Sequence, residues 1–204
     1  MPIYDGGTLQ DWVSKRPILD AHESRFIMHQ ICHAVDYIHR SGIIHRDLKV
    51  LLAPENILLA KDTRYPRIVI TDFGLAVDLQ IDWLAHGNFG TPGAPEVHSG
   101  QEYDQAVDCW SMGAIFYFLW IGQHAFMLPD MLPHQLLESI LKGDYNQTSP
   151  EWININDGAK TLISGLLTVN PTRRLTAAHC SRDSWLSQDD MLYERLYPLM
   201  SNEA

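Results

Sequence analysis

The chain has few basic residues, few cysteines and no long hydrophobic run. Lys and Arg number 15 against 25 Asp and Glu, so the formal net charge is -10. Nucleic-acid binding needs a basic surface, and adhesion to an anionic membrane needs clustered basic residues. The acidic balance argues against both kinds of partner. The longest apolar stretch, residues 110–121, is too short to span a bilayer, and it predicts a core helix.

The three cysteines, Cys32, Cys109 and Cys180, are widely spaced, and each lies in a segment with a helical pattern. An odd number at wide spacing predicts buried free thiols in a reducing compartment. The opening residues, MPIYDGGTLQDW, have neither the basic start nor the apolar run of a secretory signal. We therefore expect an intracellular protein, in the cytoplasm or the nucleus.

The hydrophobic pattern predicts one mostly helical unit with a small β element near its start. Thr8 and Asp11 have the spacing of a capping box. Asp20 and Glu23 give a second helix start, and we expect that helix to end at Gly42. The other predicted elements are strands at 56–59 and 67–71, an irregular segment at 72–96, and helices at 106–121, 134–142, 157–167 and 176–180.

Three tripeptides follow one another in contexts that are typical of phosphoryl-transfer enzymes. HRD (45–47) follows the long helix, DFG (72–74) directly follows the second strand, and APE (94–96) comes further on. Each tripeptide alone is weak evidence, but the ordered set is strong evidence for a protein kinase. DCWSMG (108–113) and NPTRRLTA (170–177) match further signatures of the same family.

On these motifs the chain resembles the C-terminal lobe of a serine/threonine protein kinase over nearly its whole length. The segments GGTL and EWININDGAKTLISGLL most resemble the calmodulin-dependent and checkpoint kinase group. The resemblance implies an α+β, protein-kinase-like fold, with a mainly helical C-lobe at 1–187 and a tail at 188–204. These 204 residues include no Gly-rich loop, Val-Ala-Ile-Lys strand or αC Glu. We therefore expect the N-lobe to be absent and the chain alone to be inactive.

The resemblance also implies roles for the polar residues of the motifs. Asp47 would accept or orient the proton of the substrate hydroxyl, and Lys49 would stabilise the γ-phosphate of ATP. Asn56 and Asp72 would hold Mg²⁺ through hard oxygen ligands, and Leu58 would press on the adenine ring. Phosphoryl transfer depends on positioning and charge neutralisation more than on covalent chemistry, so these groups have to converge.

Further motif residues are implied to be structural. Asp108 would pin the backbone of the HRD turn, and Glu96 and Arg174 would form a buried ion pair. The full set of implied structural residues is His45, Arg46, Phe73, Gly74, Glu96, Asp108 and Arg174. The implied partners are ATP, Mg²⁺ and a protein substrate, while nucleic acid and membrane are not expected and the oligomeric state stays open.

The catalytic loop departs from the family spacing H-R-D-L-x-x-x-N. The insert VLLA (50–53) places Asn56 nine positions after Asp47. Three inserted residues are large and apolar, so we expect them to be drawn inward, into the polar cleft, and to displace Asn56 from the metal site. The alternative is an outward bulge that leaves Asp47 and Asn56 together.

The activation segment also differs from the family pattern. Residues 75–90 contain no Ser, Thr or Tyr, so the candidates to replace a phosphate beside Arg46 are acids such as Asp78 and Asp82, or nothing. GTPGAPE is two residues shorter than usual, and Thr91 is expected to be a structural contact. Two other interpretations stay open, a pseudokinase that binds partners through its helical lobe and a mis-spliced kinase fragment.

Three histidines on the long helix, His22, His29 and His33, share a face with Asp36 nearby. Such a group could hold a metal ion. Without an HExxH pattern or cysteine ligands, a polar solvated face is the favoured interpretation.

Overall fold

The computed structural model describes residues 4–16, 19–48, 55–81 and 93–187. Within these residues the chain is mostly helical and carries two small antiparallel sheets. The strands are β1 (Ile43–Ile44), β2 (Ile57–Leu59), β3 (Ile68–Ile70) and β4 (Val77–Asp78). The helices are α1 (Leu9–Ser14), α2 (Ala21–Arg40), α3 (Pro95–His98), α4 (Ala106–Ile121), α5 (Pro133–Lys142), α6 (Pro150–Asn154), α7 (Asp157–Leu166) and α8 (Ala177–Cys180).

The first two helices begin where local side-chain hydrogen bonds satisfy their free N–H groups. The Thr8 hydroxyl accepts from the Asp11 backbone N–H at 3.0 Å, which starts α1. Asp20 accepts from the Glu23 N–H at 2.8 Å, and the Glu23 carboxylate accepts from the Asp20 N–H at 3.0 Å. This reciprocal pair is a capping box and fixes the start of α2. Gly42, with φ of 79°, follows the end of α2.

Helix α4 forms the centre of the molecule because it is apolar all round. Every residue from 107 to 119 is buried. Gly113 lies where α4 meets α7, and a Cβ there would stand 2.9 Å from both Leu166 Cβ and Leu167 Cγ. Glycine therefore permits the close approach of the two helices. Helix α2 packs on another side of α4, where the Ser24 hydroxyl donates to the Leu119 carbonyl at 3.3 Å.

The two sheets join segments that flank the predicted motifs. In the first sheet β2 pairs with β3, with Ile57 opposite Ile70. In the second sheet β1 pairs with β4, with Ile44 opposite Val77. The prediction that 72–96 is irregular was wrong at β4 and α3, because two-residue strands and four-residue helices are too short to show a hydrophobic period.

The three cysteines are free and buried, as predicted, and they lie on α2, α4 and α8. Burial raises the pKa of the Cys109 thiol to about 12. Among the described residues, no helix has the length and apolar character needed to cross a membrane.

Candidate active site

A buried carboxylate on the central helix holds the HRD turn. Asp108 accepts from the His45 N–H at 2.8 Å and from the Arg46 N–H at 2.9 Å, one bond to each oxygen. The His39 ring, at the end of α2, also lies 2.9 Å from Asp108 Oδ2. Arg46 has a φ of 66°, a left-handed conformation that costs a non-glycine residue about 1–2 kcal/mol. The bonds to Asp108 stabilise the turn in spite of this cost.

His45 connects the HRD turn to the DFG segment. Its Nε2 lies 2.9 Å from the Thr71 carbonyl, and its Nδ1 accepts from the Asp47 N–H at 3.3 Å. The Nε2–H tautomer satisfies both bonds, since a carbonyl can only accept. The Phe73 ring packs edge-on against the His45 ring, with 4.8 Å between centroids. The two motifs are therefore fixed to one another through a single side chain.

Asp47 and Asn56 are in direct contact, although the insert separates them in sequence. The Asn56 amide nitrogen donates to the Asp47 carbonyl at 2.6 Å and to the Asp47 carboxylate at 3.0 Å. Both side chains are buried. The expectation that the insert displaces Asn56 was therefore wrong.

The physical reason is that each end of the catalytic loop has its own anchor. On the C-terminal side, the Thr71 backbone N–H donates to the Asn56 carbonyl at 2.9 Å, which continues the β2–β3 ladder. On the N-terminal side, Asp108 holds the HRD turn. Four extra residues therefore lengthen the connection without moving either anchor. Lys49 and the insert itself lie outside the described residues.

Asp72 directly follows Thr71, whose N–H donates to the Asn56 carbonyl, so it leaves the β2–β3 pair at the end where Asn56 lies. Its backbone is left-handed, with φ 64° and ψ 67°. Its Oδ1 accepts from the Gly74 N–H at 3.4 Å, and a Cβ at Gly74 would lie 3.1 Å from that oxygen. Glycine at position 74 thus leaves room for the Asp72 carboxylate, which is exposed.

Asn56 and Asp72 have the chemistry to hold a hard divalent cation. The Asn56 amide nitrogen is engaged by Asp47, so its oxygen is the atom that remains for a metal. Mg²⁺ is usually held by one or two carboxylates together with waters and phosphate oxygens. One carboxylate and one amide oxygen fit that pattern. In the described part of the chain, no three His, Cys, Asp or Glu side chains come together as a metal site.

Leu58 forms an apolar surface beside these polar groups. It is the middle residue of β2, where Ile57 and Leu59 are buried and Leu58 is partly exposed. Neighbouring residues of a strand face opposite sides, so Leu58 points away from the core. It also bridges to Thr8, just before α1. Leu58 therefore presents a wall against which a flat ring could lie.

Glu96 and Arg174 form a two-pronged ion pair in the core. Arg174 Nη1 lies 2.6 Å from Glu96 Oε1, and Nη2 lies 2.9 Å from Oε2. The same guanidinium donates to the carbonyls of Ala106, Thr168 and Val169. The pair thus ties α3 to the start of α4 and to the segment that follows α7.

The Arg46 side chain contacts the activation segment and Tyr103, which lies three residues before α4. Its Nε donates to the Leu75 carbonyl, and its Nη1 lies 3.4 Å from the Tyr103 hydroxyl. Asp78, one of the two acids named as candidates to pair with Arg46, accepts from the Gln80 N–H in its own turn. Asp82 and Thr91 lie outside the described residues.

Sequence reasoning missed two members of this arrangement, His39 and Tyr103. His39 contacts Asp108, and Tyr103 contacts Arg46. Both contacts join residues more than fifty positions apart. No local spacing in the sequence could have indicated them.

Comparison with known proteins identifies the family of the chain. The family model described as "Protein kinase domain" matches residues 1–186. The calcium/calmodulin-dependent protein kinase type II alpha chain of Drosophila melanogaster is 38% identical over 189 residues, 91% of this chain and 34% of the relative. The calcium/calmodulin-dependent protein kinase type II subunit delta of Oryctolagus cuniculus is 38% identical over 188 residues, again 91% and 34%. The chain therefore spans about a third of the length of these curated relatives.

Proposed function

Since this chain belongs to the protein kinase family, we propose that it provides the substrate- and metal-binding half of a serine/threonine kinase active site. The proposed reaction is phosphoryl transfer from Mg-ATP to a Ser or Thr hydroxyl of a protein. The observation that carries this proposal is the contact of the Asn56 amide with Asp47, at 2.6 and 3.0 Å. It holds the base beside the first metal ligand in spite of the insert.

Asp47 acts as the acceptor of the substrate proton in this proposal. Its Oδ2 accepts from Asn56, and its backbone N–H is bound by the His45 ring. These bonds fix the direction of the carboxylate before any substrate arrives. A fixed acceptor orients the attacking hydroxyl, and positioning together with electrostatic stabilisation supplies most of the catalysis in phosphoryl transfer.

Asn56 and Asp72 would hold Mg²⁺, and Lys49 would contact the γ-phosphate. When bound, the cation neutralises charge on the phosphate oxygens. Leu58 would support the adenine ring on the apolar wall of β2. A leucine at this place excludes water from one face of the ring and offers it no hydrogen bond.

The rival function is a pseudokinase that acts as an interaction module. A chain without catalytic function has no need to keep an acceptor carboxylate, an amide and a second carboxylate at one strand end. The contacts of Asp47, Asn56 and Thr71 therefore favour the enzyme. The three buried free thiols suit a reducing compartment, and we place the protein in the cytoplasm or the nucleus. Its proposed partners are ATP and a protein substrate.

The test is a phosphotransfer assay on this chain joined to the N-lobe of the Drosophila relative. We expect Mg²⁺-dependent labelling of a generic protein substrate, and a loss of at least about 100-fold in kcat for Asp47→Asn. The 204 residues by themselves should show negligible transfer. An inactive fusion that is folded and binds Mg-ATP would support the pseudokinase instead. Labelling that survives Asp47→Asn would contradict the role given to this residue.

A further inference from the structure

Two histidines on the outer face of α2 point their ring nitrogens at one another. His29 and His33 are one helical turn apart, and their Nε2 atoms are 3.0 Å from each other. The ring centroids lie 4.2 Å apart, with the planes inclined by 51°. His29 is half-buried and His33 is exposed. The pair lies outside the candidate active site, and no part of the proposed reaction uses it.

The surroundings of the pair are compatible with metal binding. Burial, followed by repulsion from His33, lowers the pKa of His29 to about 4. Burial also lowers the pKa of His33, although the Asp36 carboxylate partly opposes this. Both shifts favour the neutral imidazole, which is the form that binds metals. The proposal itself rests on the position of the two ring nitrogens.

We propose that His29 and His33 form a chelating site for a divalent late transition metal. Two His residues at i and i+4 on one helix face are a known ligand spacing for such ions. The two Nε2 atoms are 3.0 Å apart. A metal ion about 2.0–2.1 Å from each of them would therefore have an N–metal–N angle of about 95°. That angle lies closer to the 90° of octahedral or tetragonal coordination than to the tetrahedral angle. The order of affinity should therefore favour Ni²⁺ and Cu²⁺ over Zn²⁺.

Binding rearranges one proton but releases none. In the metal-free pair one Nε2–H points at the other Nε2. In the complex both rings carry their proton on Nδ1, and both Nε2 lone pairs go to the metal. The remaining coordination positions are taken by water, because the described residues bring no third His, Cys, Asp or Glu to the pair.

Neighbouring groups on α2 do not complete the site. His22 is seven residues before His29, which is about 10 Å along the helix axis, too far to share an ion. Asp36 is buried and is engaged by Arg40 at 3.1 Å and by the Ser181 hydroxyl at 3.4 Å. Of the three histidines and the aspartate that share this face, His29 and His33 are thus the two that could hold an ion together. Its chelate geometry distinguishes the pair from a plain solvated face.

The test is titration of the full 204-residue chain with Ni²⁺, Zn²⁺ and Mg²⁺ by calorimetry. We compare His29→Asn, His33→Asn and the double variant with His134→Asn, which changes an exposed histidine on α5. We expect Ni²⁺ to bind more tightly than Zn²⁺, and Mg²⁺ not to bind. Each single variant should weaken Ni²⁺ binding at least about 10-fold, because loss of one ring removes the chelate. His134→Asn should leave it unchanged.

A thermal-shift measurement gives an independent readout, since an ion that binds the folded state raises its melting temperature. The Ni²⁺-induced shift should disappear in the double variant, and circular dichroism should show that this variant is folded. The proposal is overturned if the double variant binds Ni²⁺ as the natural chain does. It is equally overturned if the folded natural chain shows no binding at about 1 mM Ni²⁺, a concentration at which even a weak site gives a shift.

Discussion

The ion pair between Glu96 and Arg174 allows the stability account to be tested with a matched control. The Arg174 side chain is 0% exposed and that of Glu96 is 4% exposed, and their shortest N–O distance is 2.6 Å. A second pair, Lys142 with Glu138, has the same 2.6 Å distance, but its side chains are 65% and 60% exposed. The two pairs share one contact distance and differ in burial.

Removing Glu96 leaves the Arg174 charge buried without its carboxylate. We expect Glu96→Ala to lower the free energy of unfolding by about 3–5 kcal/mol. Glu138→Ala should have almost no effect on it, because water screens an exposed pair. The difference between the two values measures the effect of burial.

Arg174→Ala should cost more than Glu96→Ala. This substitution leaves the Glu96 carboxylate buried without its cation. It also removes the hydrogen-bond donor of three carbonyls, those of Ala106, Thr168 and Val169. Each buried carbonyl left without a donor adds about 1–3 kcal/mol, less where water enters. The double variant Glu96→Ala/Arg174→Ala should be no less stable than Arg174→Ala alone, because it no longer contains a buried, unpaired carboxylate.

The assay is urea unfolding followed by the fluorescence of the six tryptophans. The free energy of unfolding is read by linear extrapolation at neutral pH. A cost for Glu96→Ala below about 1 kcal/mol, or one equal to that of Glu138→Ala, would show that the Glu96–Arg174 pair lies in an environment like water and that its burial adds no stability.

Two further predictions concern the HRD turn and the histidine pair. Asp108→Ala removes the acceptor of the His45 and Arg46 N–H groups. It should lower the free energy of unfolding by about 2–4 kcal/mol. Hydrogen exchange at the His45 and Arg46 amides should become faster. The pKa of His29 is about 4 in the folded chain against 6.5 for an unperturbed ring, so the unfolded state takes the proton first as the pH falls. The free energy of unfolding should therefore decrease from about pH 6.5 towards pH 4. His29→Gln should reduce this decrease by about 1 kcal/mol after allowance for solvent screening. If the variant and the natural chain have the same pH profile, the pKa of His29 is not lowered in the folded state.

Local signals in the sequence predicted the elements whose causes are local. The Asp20 and Glu23 capping box spans four residues, and it is present in the structure. The predicted helix 106–121 has the observed bounds, because an apolar run is followed by Gly122 in a left-handed conformation. The three free thiols were also predicted, since burial follows from apolar helical surroundings.

Features that depend on distant contacts could not be predicted in this way. The β1–β4 pair has two residues on each side, too few to show a period. The position of Asn56 was wrongly predicted because spacing alone takes no account of the Thr71 bond that anchors it. The bond between His39 and Asp108 joins helix ends that are separate in sequence. In each case the geometry depends on a tertiary contact, which the local sequence pattern does not indicate.

Deleting VLLA tests whether the insert leaves Asp47 and Asn56 in place. The fusion with the Drosophila N-lobe is compared with the same fusion lacking residues 50–53, and the short segment before Ala94 is lengthened by two residues in both. Because Asp47 and Asn56 meet with the insert present, we predict that kcat and the Mg²⁺ dependence differ by less than about threefold, or about 0.7 kcal/mol. A rise in kcat of about 10-fold or more on deletion would show that the insert misplaces the site, and would contradict the account.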